Sequence, residues 1–146
     1  MPDIILGFQG EYKWLSNFWE SPIIVTGIHY RNVESAYQAA KSINIADRRT
    51  FSNMTGYQAK KAGRTVTLRA DWHVAKLEVM ELCLRAKFMA NKELAMKLVE
   101  TGSADIVELN TWGDTTWGKI RTKDGTLTGS NYLGKLLMHV RRDLNS

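Results

Sequence analysis

Glu34 and Lys41 stand seven residues apart in the run Val33-Glu34-Ser35-Ala36-Tyr37-Gln38-Ala39-Ala40-Lys41. Seven residues make about two turns of α-helix, so a helix here sets Glu34, Tyr37, Gln38 and Lys41 on one face. That face is polar and aromatic, unlike a core stripe. A carboxylate on it has the chemistry of a general acid or base. It also has an ordinary use, because a glutamate in a first helical turn is favoured by the unpaired amides there. A second carboxylate, Asp114, lies in the stretch Gly113-Asp114-Thr115-Thr116-Trp117-Gly118. Aspartate in a turn is equally ordinary. The chain carries five tryptophans, placed largely in loops or at helix edges, and Trp117 is the best placed of them to stack on a planar base. These residue types together imply a site for a phosphorylated, base-bearing ligand.

Other chemistry is excluded by spacing. The string from Gly113 to Lys119 imitates a phosphate-binding loop, but Ile120 follows where a Ser or Thr would have to ligate magnesium. No dinucleotide-binding glycine fingerprint occurs. His29, His73 and His139 are widely separated and the chain has one cysteine, so no metal site is expected. Cys83 falls in the middle of a helical segment beside its apolar stripe, as a small buried hydrophobe would. The start of the chain lacks the basic and apolar regions of a secretory signal, and nothing approaches the ~20 apolar residues of a membrane span. The expected compartment is the cytoplasm.

The elements that must hold these residues follow from pattern. At 146 residues, 44% hydrophobic and 24% charged, the chain has the size and composition of one ordinary globular domain, spanning 1–146. Its net charge of +5 favours anionic partners such as nucleotides or nucleic acid. Ile23-Ile24-Val25 and Ile28-His29-Tyr30 flank Thr26-Gly27, which predicts a hairpin. Asn32 is placed to cap a helix over 33–43. Further helices are expected over 47–54, 57–64, 70–89, 93–101 and 131–144. The 70–89 helix carries Leu77, Met80, Leu84 and Phe88 as its apolar stripe, with Glu81 and Arg85 four apart on the surface. A short strand is expected over 106–109, and residues 110–129 read as one long loop, a length that is often functional. The fold class is therefore mainly α, an α+β chain with minor β-hairpin structure.

Nine strings in register resemble one known family. They include Leu15-Ser16-Asn17-Phe18, the Val33–Lys41 run, Ala59 with Gly63-Arg64, Asp71-Trp72, and Lys87-Phe88. Towards the C-terminus they continue with Val107-Glu108, Asp114 with Trp117-Gly118, and Gly129-Ser130-Asn131-Tyr132-Leu133-Gly134. In this order they look like the NADAR, also called YbiA-like, family, over about residues 8 to 144.

The resemblance implies an N-glycosidase that needs no cofactor. It implies cleavage between ribose C1 and an exocyclic amine, with removal of ADP-ribose from guanine bases in DNA as the first expectation. The alternative is a ribosylaminopyrimidine phosphate of the riboflavin pathway, giving ribose 5-phosphate. A non-catalytic ADP-ribose or nucleic-acid binding module is the reading from another class. Carried over position by position, Glu34, Lys41 and Asp114 are the expected catalytic residues. Glu34 would serve as acid or base, Asp114 would stabilise C1 or act on water, and Lys41 would bind phosphate, tune Glu34 or form an imine with an opened sugar. Asn17, Phe18, Tyr37, Gln38, Trp72, Trp117 and Gly118 would shape the substrate pocket. Arg64 is a phosphate candidate, as is Asn131 at the start of the last helix. The chain departs from the family at Ser35, where many relatives carry histidine, at Gly113, and in the 119–128 segment.

Overall fold

A computed structural model describes residues 2–146. The chain divides into two compact units, one continuous from Ser16 to Lys92 and one made of both ends, Met1–Leu15 with Glu93–Ser146.

The Ser16–Lys92 unit starts from the expected hairpin. Strands β2 (Ile23–Val25) and β3 (Ile28–Tyr30) pair antiparallel, with Ile24 opposite His29. Their inward residues, Ile23, Val25, Ile28 and Tyr30, are buried. Helix α1 (Val33–Ala39) begins where Asn32 accepts the Ser35 amide on its side chain. It stops at Ala40, short of the expected Ile43. The reason is a new start: Asn44 accepts the amides of Ala46 and Asp47 and caps α2 (Ile45–Thr50). Helix α3 (Gly56–Ala62) opens with a reciprocal capping box between Thr55 and Gln58. Helix α4 (Trp72–Ala90) is the longest, and Glu81 and Arg85 form the expected surface pair at 2.9 Å. It buries Met80, Cys83, Leu84 and Phe88, while Leu77 stays partly exposed. Helices α3 and α4 both pack against α1.

In the unit built from the two ends, β1 (Ile4–Leu6) runs parallel to β4 (Asp105–Val107), with Ile5 opposite Ile106. A 3₁₀ helix, Gly10–Leu15, buries Trp14 and Leu15. Helix α5 (Lys92–Glu100) turns Leu94 and Leu98 inward and gives way to a turn in which Gly102 has φ 65°. Helix α6 (Tyr132–Leu144) packs on β4, and its Leu133, Leu137 and Val140 are buried. The stretch 110–129 is not one open loop. It contains a small hairpin, β5 (Ile120–Arg121) with β6 (Leu127–Thr128), tightened by Gly125 at φ 87°. The fold is mainly helical with three two-stranded sheets among the described residues. No described helix is long and apolar enough to cross a membrane.

Candidate functional site

In the Ser16–Lys92 unit the expected residues cluster around α1. Glu34, Tyr37 and Gln38 are all buried, at 8%, 6% and 6% exposure. A polar face with so little access to water needs partners from its neighbours. The Glu34 amide donates to the Asn17 carbonyl at 3.1 Å, which ties the Ser16–Phe18 segment to the start of the helix. Gln38 Nε2 donates to Glu34 Oε2 at 3.4 Å. Two acceptors there, Gln38 Oε1 and Asn17 Oδ1, are buried with no hydrogen-bond partner. Gly63 makes room for the Gln38 amide, since a Cβ at that position would lie 1.9 Å from Gln38 Oε1. Arg64, the next residue, is exposed.

The aromatic wall of this cluster is a buried pair. The rings of Tyr37 and Trp72 lie 5.1 Å apart at 55°. Phe18 meets Tyr57 edge-on at 4.8 Å and rests on Gly56, where a Cβ would fall 2.6 Å from the ring.

Lys41 lies just beyond α1. Its amide donates to the Gln38 carbonyl at 3.2 Å and its carbonyl accepts the Arg69 amide at 2.7 Å. Arg69 is held in turn by Asp71. Burial lowers the Lys41 amine below the ordinary lysine range, and the Glu34 charge acts on it in the opposite direction. The Glu34 charge thus reaches Lys41, although the lysine lies past the end of the helix on which their spacing had placed both. Cys83 is no rival nucleophile: burial first, and then the Glu34 charge, push its thiol up to about 12.

In the other unit Asp114 is fixed by a turn. Its Oδ1 accepts the amides of Thr116 and Trp117 at 2.9 and 2.8 Å. Asn110, buried at 3% exposure, clasps it from behind. The Asp114 amide donates to Asn110 Oδ1 at 2.9 Å, and Asn110 Nδ2 donates to the Asp114 carbonyl at 2.8 Å. Gly118 is buried, and a Cβ there would fall 2.0 Å from the Glu108 carbonyl. Trp117 is partly exposed and meets Tyr132 edge-on at 6.4 Å.

Asn131 takes a left-handed conformation, φ 53°, and spends its side chain on the backbone. Its Nδ2 donates to the Ile106 carbonyl at 2.9 Å, and its Oδ1 accepts the Glu108 amide at 3.0 Å. The first amides of α6 are engaged too, Tyr132 with the Thr116 carbonyl and Leu133 with that of Trp117. Asn131 thus ties α6 to the end of β4.

Two residues that shape these clusters were given no role from the sequence. Asn110 carries no pattern that marks it. Lys87 did leave a signal, for it stands seven residues after Met80 on the apolar stripe of α4, where a lysine is out of place.

Comparison with known proteins identifies the family. The NADAR domain family matches residues 7–145. N-glycosidase YbiA of Escherichia coli is 35% identical over 150 residues, covering 99% of this chain and 91% of that protein. Its NMR structure superposes with a TM-score of 0.83 at 34% identity, covering 99% of this chain and 87% of that one. N-glycosidase Npun_R5314 of Nostoc punctiforme is 31% identical, covering 92% of this chain and 87% of that protein. Riboflavin biosynthesis protein VVA0006 of Vibrio vulnificus is 32% identical, covering 91% of this chain and 36% of its own length. The chain belongs to the NADAR family.

Proposed function

We propose that this chain hydrolyses the bond between ribose C1 and the exocyclic amine of a base, with the sugar passing through an imine on Lys41. The relatives named as N-glycosidases make the chain a hydrolase of N-glycosyl bonds; the substrate and the residue roles are our reading. The observation that carries it is a half-buried lysine two residues past the end of α1, its pKa lowered by burial, on which the charge of the buried Glu34 of that helix acts. A phosphate-binding lysine has no need of a lowered pKa, whereas an amine that attacks carbon must be neutral.

Opening the sugar ring of a ribosylamine leaves C1 doubly bonded to the base nitrogen. Lys41 Nζ then adds to C1, and the C1–N bond to the base breaks. The two protons of the neutral lysine amine end on the departing nitrogen, relayed by the Glu34 carboxylate. The sugar stays as a Schiff base on Lys41 until water releases it as the aldehyde and restores the amine. Arg64, exposed one residue beyond the Gln38–Gly63 contact, is assigned to phosphate, and Asn17, Phe18, Tyr37, Gln38 and Trp72 to the pocket. Asp114 enters by its family motif as the second carboxylate, with Trp117 and Gly118 beside it.

Two substrates contain this bond. Guanine-linked ADP-ribose in DNA is supported by the net charge of +5. A ribosylaminopyrimidine phosphate is supported by the riboflavin-biosynthesis name of the Vibrio relative. A mass-spectrometric assay run on both decides. Loss of one ADP-ribose from the oligonucleotide with guanine restored establishes the first, and ribose 5-phosphate released from the small molecule alone establishes the second. Borohydride added during turnover should trap the sugar on Lys41. Turnover with no adduct would refute the imine route, and a folded protein inactive on both would refute the function. Asp114→Ala should lose turnover with ligand binding intact; unchanged turnover would remove Asp114 from the reaction.

A further inference from the structure

Lys87 has 0% exposure. Lysine is almost never fully enclosed, because an ammonium loses its hydration there. Burial pushes the Lys87 pKa down to about 7. Its Nζ donates to the Ser16 carbonyl at 3.0 Å. That carbonyl begins the short segment carrying Asn17 and Phe18, and it also accepts the Trp19 amide at 3.1 Å. One α4 turn-pair earlier, Met80 Sδ accepts Asn17 Nδ2 at 3.5 Å. Met80 and Lys87 therefore hold the segment from the same face of one helix. From the other side α1 holds it through the Glu34 amide on the Asn17 carbonyl. The far end is seated by the Phe18 ring on Gly56.

We propose that Lys87 is a positioning residue of the ribosylamine site, which through the Ser16 carbonyl holds Asn17 and Phe18 where they meet the substrate. This rests on the N-glycosidase reading given above. Lys87 does not touch the substrate, since its amine is enclosed by the protein. Its effect passes through the backbone of a segment that leaves the Lys41 amine untouched. Its loss is therefore felt in how the base is held and not in whether an imine forms.

The test uses Lys87→Met and the volume-conserving Met80→Leu, each in the full chain. Backbone amide exchange is measured first, without substrate. Lys87→Met should speed exchange at Phe18 and Trp19 about tenfold or more while the interior amides of α1 and α4 change little. Met80→Leu should give a smaller change at the same positions. Uniform acceleration through both helices would mean a general loss of stability and would overturn the proposal. So would unchanged exchange at Phe18 and Trp19. If Lys87→Met fails to fold, the Met80→Leu exchange pattern decides by the same criteria.

Turnover supplies the second arm. Lys87→Met should raise KM about tenfold, with Lys41 still trapped by borohydride on ribose 5-phosphate alone. Combined with Asn17→Ala it should add little beyond Asn17→Ala itself, because both remove the same contact with substrate. Fully multiplicative losses would overturn the proposal. A wild-type protein inactive on every ribosylamine would strike the function and with it the role at that site, while the exchange result would still report whether Lys87 holds the segment.

Discussion

The α1 cluster and the Asp114 turn each present a carboxylate, and they hold it in different ways. Around α1 the side chains are placed by helical repeat. Glu34, Tyr37 and Gln38 lie on one buried face because the helix puts them there, and the neighbours only have to fit. At Asp114 there is no repeat to rely on. The carboxylate is oriented by backbone amides two and three residues ahead, and the turn is oriented by Asn110 behind it. A helix can lose a neighbour and keep its geometry. A turn has no repeat to restore it, and each partner it loses, Asn110 above all, weakens it directly. Substitutions at Glu34 and Lys41 should therefore damage chemistry more than stability, and removal of Asn110, which braces the Asp114 turn, should do the reverse.

The largest expected effect is at Lys41. Lys41→Met should lower kcat by on the order of 10⁴-fold or more and abolish the borohydride adduct, with the thermal melt nearly unchanged. A variant that retains an adduct on another lysine would break the contrast at its strongest point. Glu34→Gln keeps shape and hydrogen bonding and removes the charge. Its kcat should fall about 10²–10⁴-fold, as for loss of a general acid–base group. Asn110→Ala sharpens the other side. It leaves the Asp114 amide and carbonyl without their partner and should cost about 1–3 kcal/mol in denaturant unfolding. A loss of turnover without loss of stability at Asn110 would show that the turn is sturdier than its hydrogen bonds imply.

The smallest effect is a titration. The Lys41 ammonium is destabilised by burial and supported by the Glu34 charge. In an NMR titration of methyl-labelled lysines, Lys41 should lose its proton at lower pH than the exposed lysines. Glu34→Gln removes the charge that favours the ammonium, so the midpoint should move lower still. Because the neutral amine is the reactive form, the acidic limb of the wild-type rate profile should rise earlier than an ordinary lysine allows. A midpoint that moves upward in Glu34→Gln would uncouple the pair.

The same contrast explains what could be read in the sequence. The α1 face was legible because spacing alone determines it, and so was the hairpin around Thr26-Gly27, where turn residues and alternation agree. The end of α1 was misplaced because Ala40, Lys41 and Ser42 are acceptable in a helix, and the decision lies with Asn44 capping the next one. The hairpin within 110–129 was hidden because its strands are two residues each, too short for any alternation to show. Asn131 looked like an ordinary helix start. Its left-handed backbone and its bonds to Ile106 and Glu108 depend on residues far back in the chain. Lys87 was visible in the Lys87-Phe88 string and as a charge on an apolar stripe, but its role waited on the Ser16 carbonyl.

The parallel pairing of Ile4–Leu6 with Asp105–Val107 has a consequence for how the protein is made. Ile4–Leu6 leaves the ribosome about a hundred residues ahead of its partner, Asp105–Val107. The continuous Ser16–Lys92 stretch meets no such delay, since every contact described around α1 closes within it. During translation Glu34 and Lys41 can thus reach the neighbours described above while Ile4–Leu6 still exposes an unpaired edge, the kind of surface to which chaperones and other nascent chains adhere. Slowing elongation after residue 92 would lengthen that exposure without disturbing the helix that carries Glu34.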